Sequence, residues 1–490
     1  MRRWSWLLGL LVIGVLGVVW WTSRNAIRME PLDAQRFAQM NETEQVEWLI
    51  EQILARSKRT DTLAKLLERL SLGRRDYLPT ITTFELTLIG AAGVEYELSH
   101  WLKHCERYVV DDGIDRDFLK VYQALLKAHQ GDWQAAEQEI LNIQEVSVRM
   151  LALAHLGRLR AESGQIERAR RDFERAQELL LSKITRFGIS DWRTKDTARL
   201  IVFHYPTQAR SELVENFAAQ VNTAAELAVV ADAYRQLGDI ARLRKLTKHA
   251  DKAVRSEAQT ALVRALIEQG QVKEGLEECV RFGVWSSTHT IQIAQALWKG
   301  GQRDYALSFA DALSFASAVS AQLLERRFPS GRFPAHHFGT VQIATPYGQV
   351  KVSIDAPDQD LDALTRAYAE WGLVDQAERL LKALPEDSRP FQRADLACIL
   401  HVTGHYERAR QQMETALQEI ERQTASGSFK RYLGLKQIAH AYARLGDDRR
   451  ALELARSIPD AALQKEVLIG MLRSRVERRN RFWREFIHTL

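Results

Sequence analysis

A recurring glycine, in phase with two columns of small side chains, limits this chain more than any other feature. Gly131, Gly164, Gly238, Gly270, Gly301, Gly372, Gly404 and Gly446 stand 33, 74, 32, 31, 71, 32 and 42 residues apart. These intervals approximate one or two lengths of a two-helix repeat of roughly 30 to 45 residues. Five residues after each glycine come Ala136, Ala169, Leu243, Gly275, Ala306, Ala377, Ala409 and Ala451. Seven before come Ala124, Gly157, Ala231, Val263, Ala294, Thr365, Ala397 and Ala439. An Ala-rich helical chain could show one such column by composition, but not two that keep phase with the glycines.

The stretch from 151 to 176 shows the unit most clearly. Leu153, Leu156 and Gly157 precede a turn at Ser163-Gly164, while Ala169, Phe173 and Ala176 follow it. Each half then carries an apolar stripe at helical spacing, which makes a helical hairpin. Gly157 and Ala169 let the arms approach, and Leu156 and Phe173 fill the seam.

The order L-x2-L-G and then A-x3-F resembles the tetratricopeptide repeat. Arg160 stands where that family prefers an aromatic and Leu181 where it prefers proline. The resemblance covers roughly residues 86 to 460 and implies an all-α, right-handed superhelical solenoid with one short β-hairpin insertion. It also implies protein or peptide binding in a concave groove lined by first helices. Carried over by phase, the candidates are Arg158, Glu162, Asp232, Arg235, Gln236, Gln295, Trp298, Lys299, Arg366, Glu370, His401, Lys436, His440 and Arg444. Most of these would be solvated helix charges wherever a groove is unused. Trp298 is the best anchor for a partner's side chain. The family's chaperone-tail clamp needs an asparagine where this chain has His440 or Asp232, so that ligand is not implied.

Six segments are expected: a transmembrane anchor and flank over 1–30, degenerate cap repeats over 31–92, repeats over 93–327, an insertion over 328–357, repeats over 358–460, and a basic capping helix over 461–490. Residues Trp4 to Trp21 carry no charge. As a helix they would just span a hydrocarbon core, with Trp4, Trp6, Trp20 and Trp21 at its two interfaces. The run ends without a small-residue cleavage pattern, so an uncleaved single-pass anchor is expected. Arg2 and Arg3 favour an exported, periplasmic or exoplasmic body, and Arg24, Arg28 and Arg36 oppose it.

Between Gly164 and Gly238 a degenerate repeat fits with its turn at His204-Tyr205-Pro206, and Gly93 is a further turn candidate. Val341, Ile343, Val350, Val352 and Ile354 alternate with polar residues about Thr345-Pro346-Tyr347-Gly348, the signature of a β-hairpin. The hairpin is either a binding loop or a tolerated decoration. The C-terminus combines Arg473, Arg475, Arg478, Arg479, Arg481 and Arg484 with Phe482, Trp483, Phe486 and Ile487. Such a helix either caps the last repeat or lies on an anionic membrane surface.

Chemistry-bearing motifs are sparse. Cys105, Cys279 and Cys398 are odd in number and far apart, which implies core residues in place of a disulfide framework. His100, His104 and Cys105 have metal-ligand spacing but no further ligands nearby, and His336-His337 is equally unsupported. No phosphate loop, dinucleotide fingerprint or nucleophile elbow occurs, so no cofactor or metal is expected. With 68 basic and 63 acidic residues, nucleic acid is not expected as a partner. The functional expectation is a membrane-tethered, non-enzymatic scaffold for protein interactions, serving a bacterial envelope complex. The alternative is an enzyme on a helical-repeat frame with its site near 328–357. Oligomeric state is left open.

Overall fold

The computed structural model describes residues 32–70, 83–101 except 99, 113–187, 224–327, 339–423 except 355, and 429–479, with a few helical residues between 197 and 219. Its first part comprises α1 (Ala34–Gln39), α2 (Glu42–Leu70), α3 (Thr83–Glu95), α4 (Gly113–His129), α5 (Trp133–Leu141), α6 (Val146–Glu162) and α7 (Ile166–Phe187). After residue 223 come α8 (Ala224–Leu237), α9 (Ile240–Leu246), α10 (Lys252–Glu268), α11 (Val272–Phe282), β1 (Val284–Ser286), α12 (Ser287–Lys299) and α13 (Arg303–Arg327). The last part holds β2 (Thr340–Thr345), β3 (Gly348–Ser353), α14 (Pro357–Glu370), α15 (Val374–Ala383), α16 (Arg389–Val402), α17 (Tyr406–Gln423), α18 (Phe429–Leu445), α19 (Asp448–Ser457) and α20 (Ala461–Arg479). The chain is thus mostly helical, with a three-stranded sheet.

The turn chemistry explains the hairpins. All eight phase glycines have positive φ, between 69° and 86°. At Gly164 the next residue closes the helix end, the Gln165 N–H donating to the Arg160 carbonyl at 2.8 Å. This six-residue bond needs a left-handed residue at its corner, which costs an L side chain about 1 kcal/mol and glycine almost nothing. In three hairpins the following residue is Asp132, Asp239 or Asp447, whose carboxylate caps the next helix. A Gly-Asp pair therefore ends one helix and starts another. Both small-residue columns are buried, and a Cβ on Gly157 would lie 3.2 Å from Phe173.

First helices of successive hairpins pack on one another, α8 on α10, α10 on α12, α16 on α18, α18 on α20, whereas second helices pack chiefly on their own and the following first helix. The first helices therefore form the inner wall and the second helices the outer one. Gly93 lies inside α3, and the left-handed residue there is Glu97 at φ 57°. The degenerate repeat about His204-Tyr205-Pro206 falls outside the described residues.

The two ends of the array meet. α20 packs on α2 and α3, and α1 packs on α19. Arg56 Nε donates to Gln464 Oε1 at 3.1 Å, while Arg479 reaches Glu42 at 3.6 Å, so α2 and α20 run antiparallel. α2 thus packs against α20 in the place that a second helix takes in the other hairpins. Arg475 and Arg479 turn toward the Phe37 and Tyr96 rings, at 5.3 and 4.6 Å from their centroids.

The expected membrane anchor is corrected. Residues 4–21, with Trp4, Trp6, Trp20 and Trp21, lie outside the described residues. Among the described residues no helix is long and apolar enough to cross a membrane. The first long helix, α2, has 29 residues but carries Glu42, Glu44, Glu47 and Glu51, whose charges a hydrocarbon core would strand. The membrane-anchored location is withdrawn.

The hairpin is present with β2 antiparallel to β3, Ile343 opposite Val350 and Val341 opposite Val352. The sequence does not suggest its third strand: β1 pairs in parallel with β3, Trp285 beside Val352. Ile343, Val350, Val352 and Ile354 are buried, and the sheet seats on α11 and α13. The ground under the insertion is therefore apolar packing.

Candidate binding surface on the first helices

The positions expected to face a partner bridge neighbouring first helices with charge. Arg366 of α14 reaches Asp362 on its own helix at 3.1 Å and Asp395 of α16 at 3.2 Å, and Arg444 of α18 reaches the same Asp395 at 3.1 Å. In an earlier pair of hairpins, Arg235 of α8 pairs with Asp232 at 2.8 Å and Glu268 of α10 at 2.7 Å. Gln236 also contacts Asp232, at 3.4 Å. These contacts form a ladder of half-exposed ion pairs along the inner wall, each contributing at most about 1 kcal/mol.

Other candidates are held within their own helix or hairpin, or by the next first helix. Arg158 is buried and pairs with Glu162 at 2.8 Å. Lys436 pairs with Glu466 of α20. His440 Nε2 sits 2.8 Å from the Glu466 carbonyl; since a carbonyl only accepts, the ring is the Nε2–H tautomer. Burial holds the His440 imidazole below its ordinary value. His401 meets Tyr406 edge-on at 5.0 Å. Lys299 and Glu370 are exposed and Gln295 is half-buried.

Trp298 is not a lone aromatic. Its indole stacks on Trp371 with centroids 4.7 Å apart and planes 11° from parallel. The Arg303 guanidinium lies 5.2 Å from the Trp298 ring centroid, and Tyr368 meets Trp371 edge-on at 5.7 Å. Both indoles remain partly exposed. The pair forms where α12 and α14 end beside each other, just before their turn glycines Gly301 and Gly372. Trp371, Asp395 and Glu268 are absent from the residues expected by phase. A tryptophan directly before a turn glycine was the available signal for the first; the two carboxylates are ordinary helix charges in sequence.

Cys279 and Cys398 are free and buried, and desolvation pushes the Cys398 thiol up to about 11, which leaves it inert. His100 pairs with Glu47 at 3.2 Å, whereas His104, Cys105, His336 and His337 lie outside the described residues. Among the described residues no cluster of three or more His, Cys, Asp or Glu side chains suits a metal.

No protein-family model matches the chain, and no curated protein matches it. Among solved structures it is similar to a "Circular tandem repeat protein with novel repeat topology and enhanced subunit contact surfaces", at 16% identity, covering 90% of this chain and 93% of that one with a TM-score of 0.16. At so low a TM-score the two chains share no common frame.

Proposed function

We propose that this protein is an interaction scaffold whose inner wall takes a partner protein or peptide at the Trp298–Trp371 stack. The observation that carries this reading is the stack itself, two partly exposed parallel indoles braced by Arg303 and Tyr368. Rigid aromatics with few rotatable bonds lose little entropy on binding, which is why they anchor interfaces. The surrounding rungs, Arg366–Asp395–Arg444 and Asp232–Arg235–Glu268, would set orientation more than affinity. Nothing in this reading requires an anchor in a membrane.

The test places a photo-crosslinking amino acid at Lys299, beside the stack, and at Arg410 on the outer helix α17. A discrete adduct at Lys299 that is absent at Arg410, and that Trp371→Ala reduces about tenfold, supports the proposal. A tenfold loss corresponds to about 1.4 kcal/mol, modest for a truncated aromatic anchor. Adducts that are the same at both positions, or unchanged in the variant, refute it.

A further inference from the structure

The outer wall between α5 and α7 holds a cavity of about 300 Å³ lined by Trp133, Gln134, Glu137, Arg160, Arg168, Arg171, Asp172 and Arg175. Four guanidinium groups face two carboxylates there. Arg160 donates to Asp172 Oδ2 at 2.6 Å and to Glu137 Oε2 at 3.4 Å, and Arg175 bonds Glu137 Oε1 at 2.5 Å. The two acids are thereby used on Arg160 and Arg175. Arg168 bonds only the neutral Gln165 amide, at 3.4 Å, and Arg171 has no acidic partner among the described residues. Two positive charges are left over at the mouth.

The repeat frame does not require this cluster. Arg168, Arg171 and Arg175 stand four, seven and eleven residues after Gly164, on one face of α7. At the same distances from the other turn glycines no hairpin has three arginines; the one from Gly238 comes nearest with Arg242, Lys245 and His249, while the one from Gly301 has Tyr305, Ser308 and Ala312. Arg160 is odder still. Tyr234, Leu266, Leu297, Tyr368, Leu400 and Tyr442 hold its position elsewhere, and Lys127 alone shares its charge. Its side chain is 5% exposed, and its Nε and the Asp172 Oδ1 are buried without a hydrogen-bond partner. Replacing a core position held elsewhere by tyrosine or leucine with a buried ion pair that has orphaned atoms is costly, and a binding site is one place where such a cost is retained.

From this geometry we infer that the α5–α7 cavity binds a phosphate monoester. Arginine forks match phosphoryl oxygens bidentately, and a dianion balances the two spare charges. The Trp133 ring, 5.8 Å from the Arg160 guanidinium, walls one side with a flat apolar face for the group carrying the phosphate. Glu137 is held below the usual carboxylate range by Arg175, while burial lifts Asp172 to about 6; both are ionised at neutral pH and hold the inner arginines in place. The site lies on the wall opposite the tryptophan stack and does not depend on that reading.

Calorimetric titration of the full chain with phenyl phosphate, a phosphoserine peptide and benzoate tests this. Saturable binding of a phosphate ester, weakened about tenfold by Arg168→Gln and again by Arg171→Gln but not by Arg410→Gln, supports it. Tighter binding of the peptide identifies the source as a partner's modified side chain, and tighter binding of phenyl phosphate a small ester. The double variant Arg160→Leu, Asp172→Leu should be at least as stable as the parent and lose the ligand. No saturable binding, equal binding by benzoate, or full binding by the Arg168 and Arg171 variants would overturn it.

Discussion

Arg56 and Gln464 are separated by 408 positions in the chain and joined by a 3.1 Å hydrogen bond. The bond lies in a seam where the last described helix, α20, receives α2 as its antiparallel partner. Lys465 adds a 2.7 Å pair with Glu85 of α3, and Leu49, Ile50 and Ile53 of α2 are buried with Leu468 and Leu472 of α20. An open array of hairpins leaves two terminal apolar faces for water or capping helices; here each end covers the other.

Linked ends should exchange together. Leu468→Ala, at a fully buried position, is expected to cost about 2 to 5 kcal/mol. Amide hydrogen exchange should quicken in α2 as well as in α20, because opening the seam frees both. Leu361→Ala in the middle of the array is the comparison. If α2 exchanges at its parental rate in the Leu468 variant, the ends are not energetically coupled.

His440 makes the seam-side hairpin sensitive to acid. The folded imidazole titrates below its ordinary value, mainly through burial, with Lys436 and Arg473 adding to the lowering and the Glu466 groups opposing it. The unfolded chain therefore binds the proton first as pH falls below about 6.5, so the stabilisation is present above that value and is lost on acidification. Urea midpoints of parent and His440→Gln, followed from neutral pH downward, should converge as pH falls. Parallel curves would count against this assignment.

Two glycines seven residues apart should fail for different reasons. Gly164 has open space around it but φ 78°, so Gly164→Ala should cost about 1 kcal/mol and Gly164→Asn less, since asparagine tolerates the left-handed region. Gly157 has helical backbone, but a Cβ would sit 3.2 Å from Phe173 and from the Ala169 carbonyl; overpacking there should cost about 1 to 3 kcal/mol. Adding Phe173→Leu to Gly157→Ala should recover part of that loss and leave Gly164→Ala unchanged. Thermal denaturation of the five variants separates the two causes, and equal rescue of both glycine variants would contradict them.

Much of the frame was legible because its causes are local. A left-handed turn residue, a small residue five positions later and another seven earlier are requirements within about one hairpin, and they repeat. The β2–β3 hairpin was legible for the same reason, through its two-residue alternation. β1 was not, since three residues that pair in parallel across more than sixty positions leave no pattern of their own. Gly93 misled because a glycine inside α3 looks the same in sequence as one at a turn, and Glu97 took the strained corner instead.

The candidate surface was less legible than the frame. Phase placed Arg366 and Arg444 on first helices, but their shared contact with Asp395 depends on how closely three helices pack. Trp298 stood out by itself, while its stacked neighbour Trp371 lies in a different hairpin. Hydrogen bonds and apolar periodicity within tens of residues let the sequence alone determine a train of paired helices. Only the tertiary structure decided that α2 completes α20, that two indoles face each other and that four arginines meet in one cavity, because each depends on distances between segments whose separation along the chain carries no local signal.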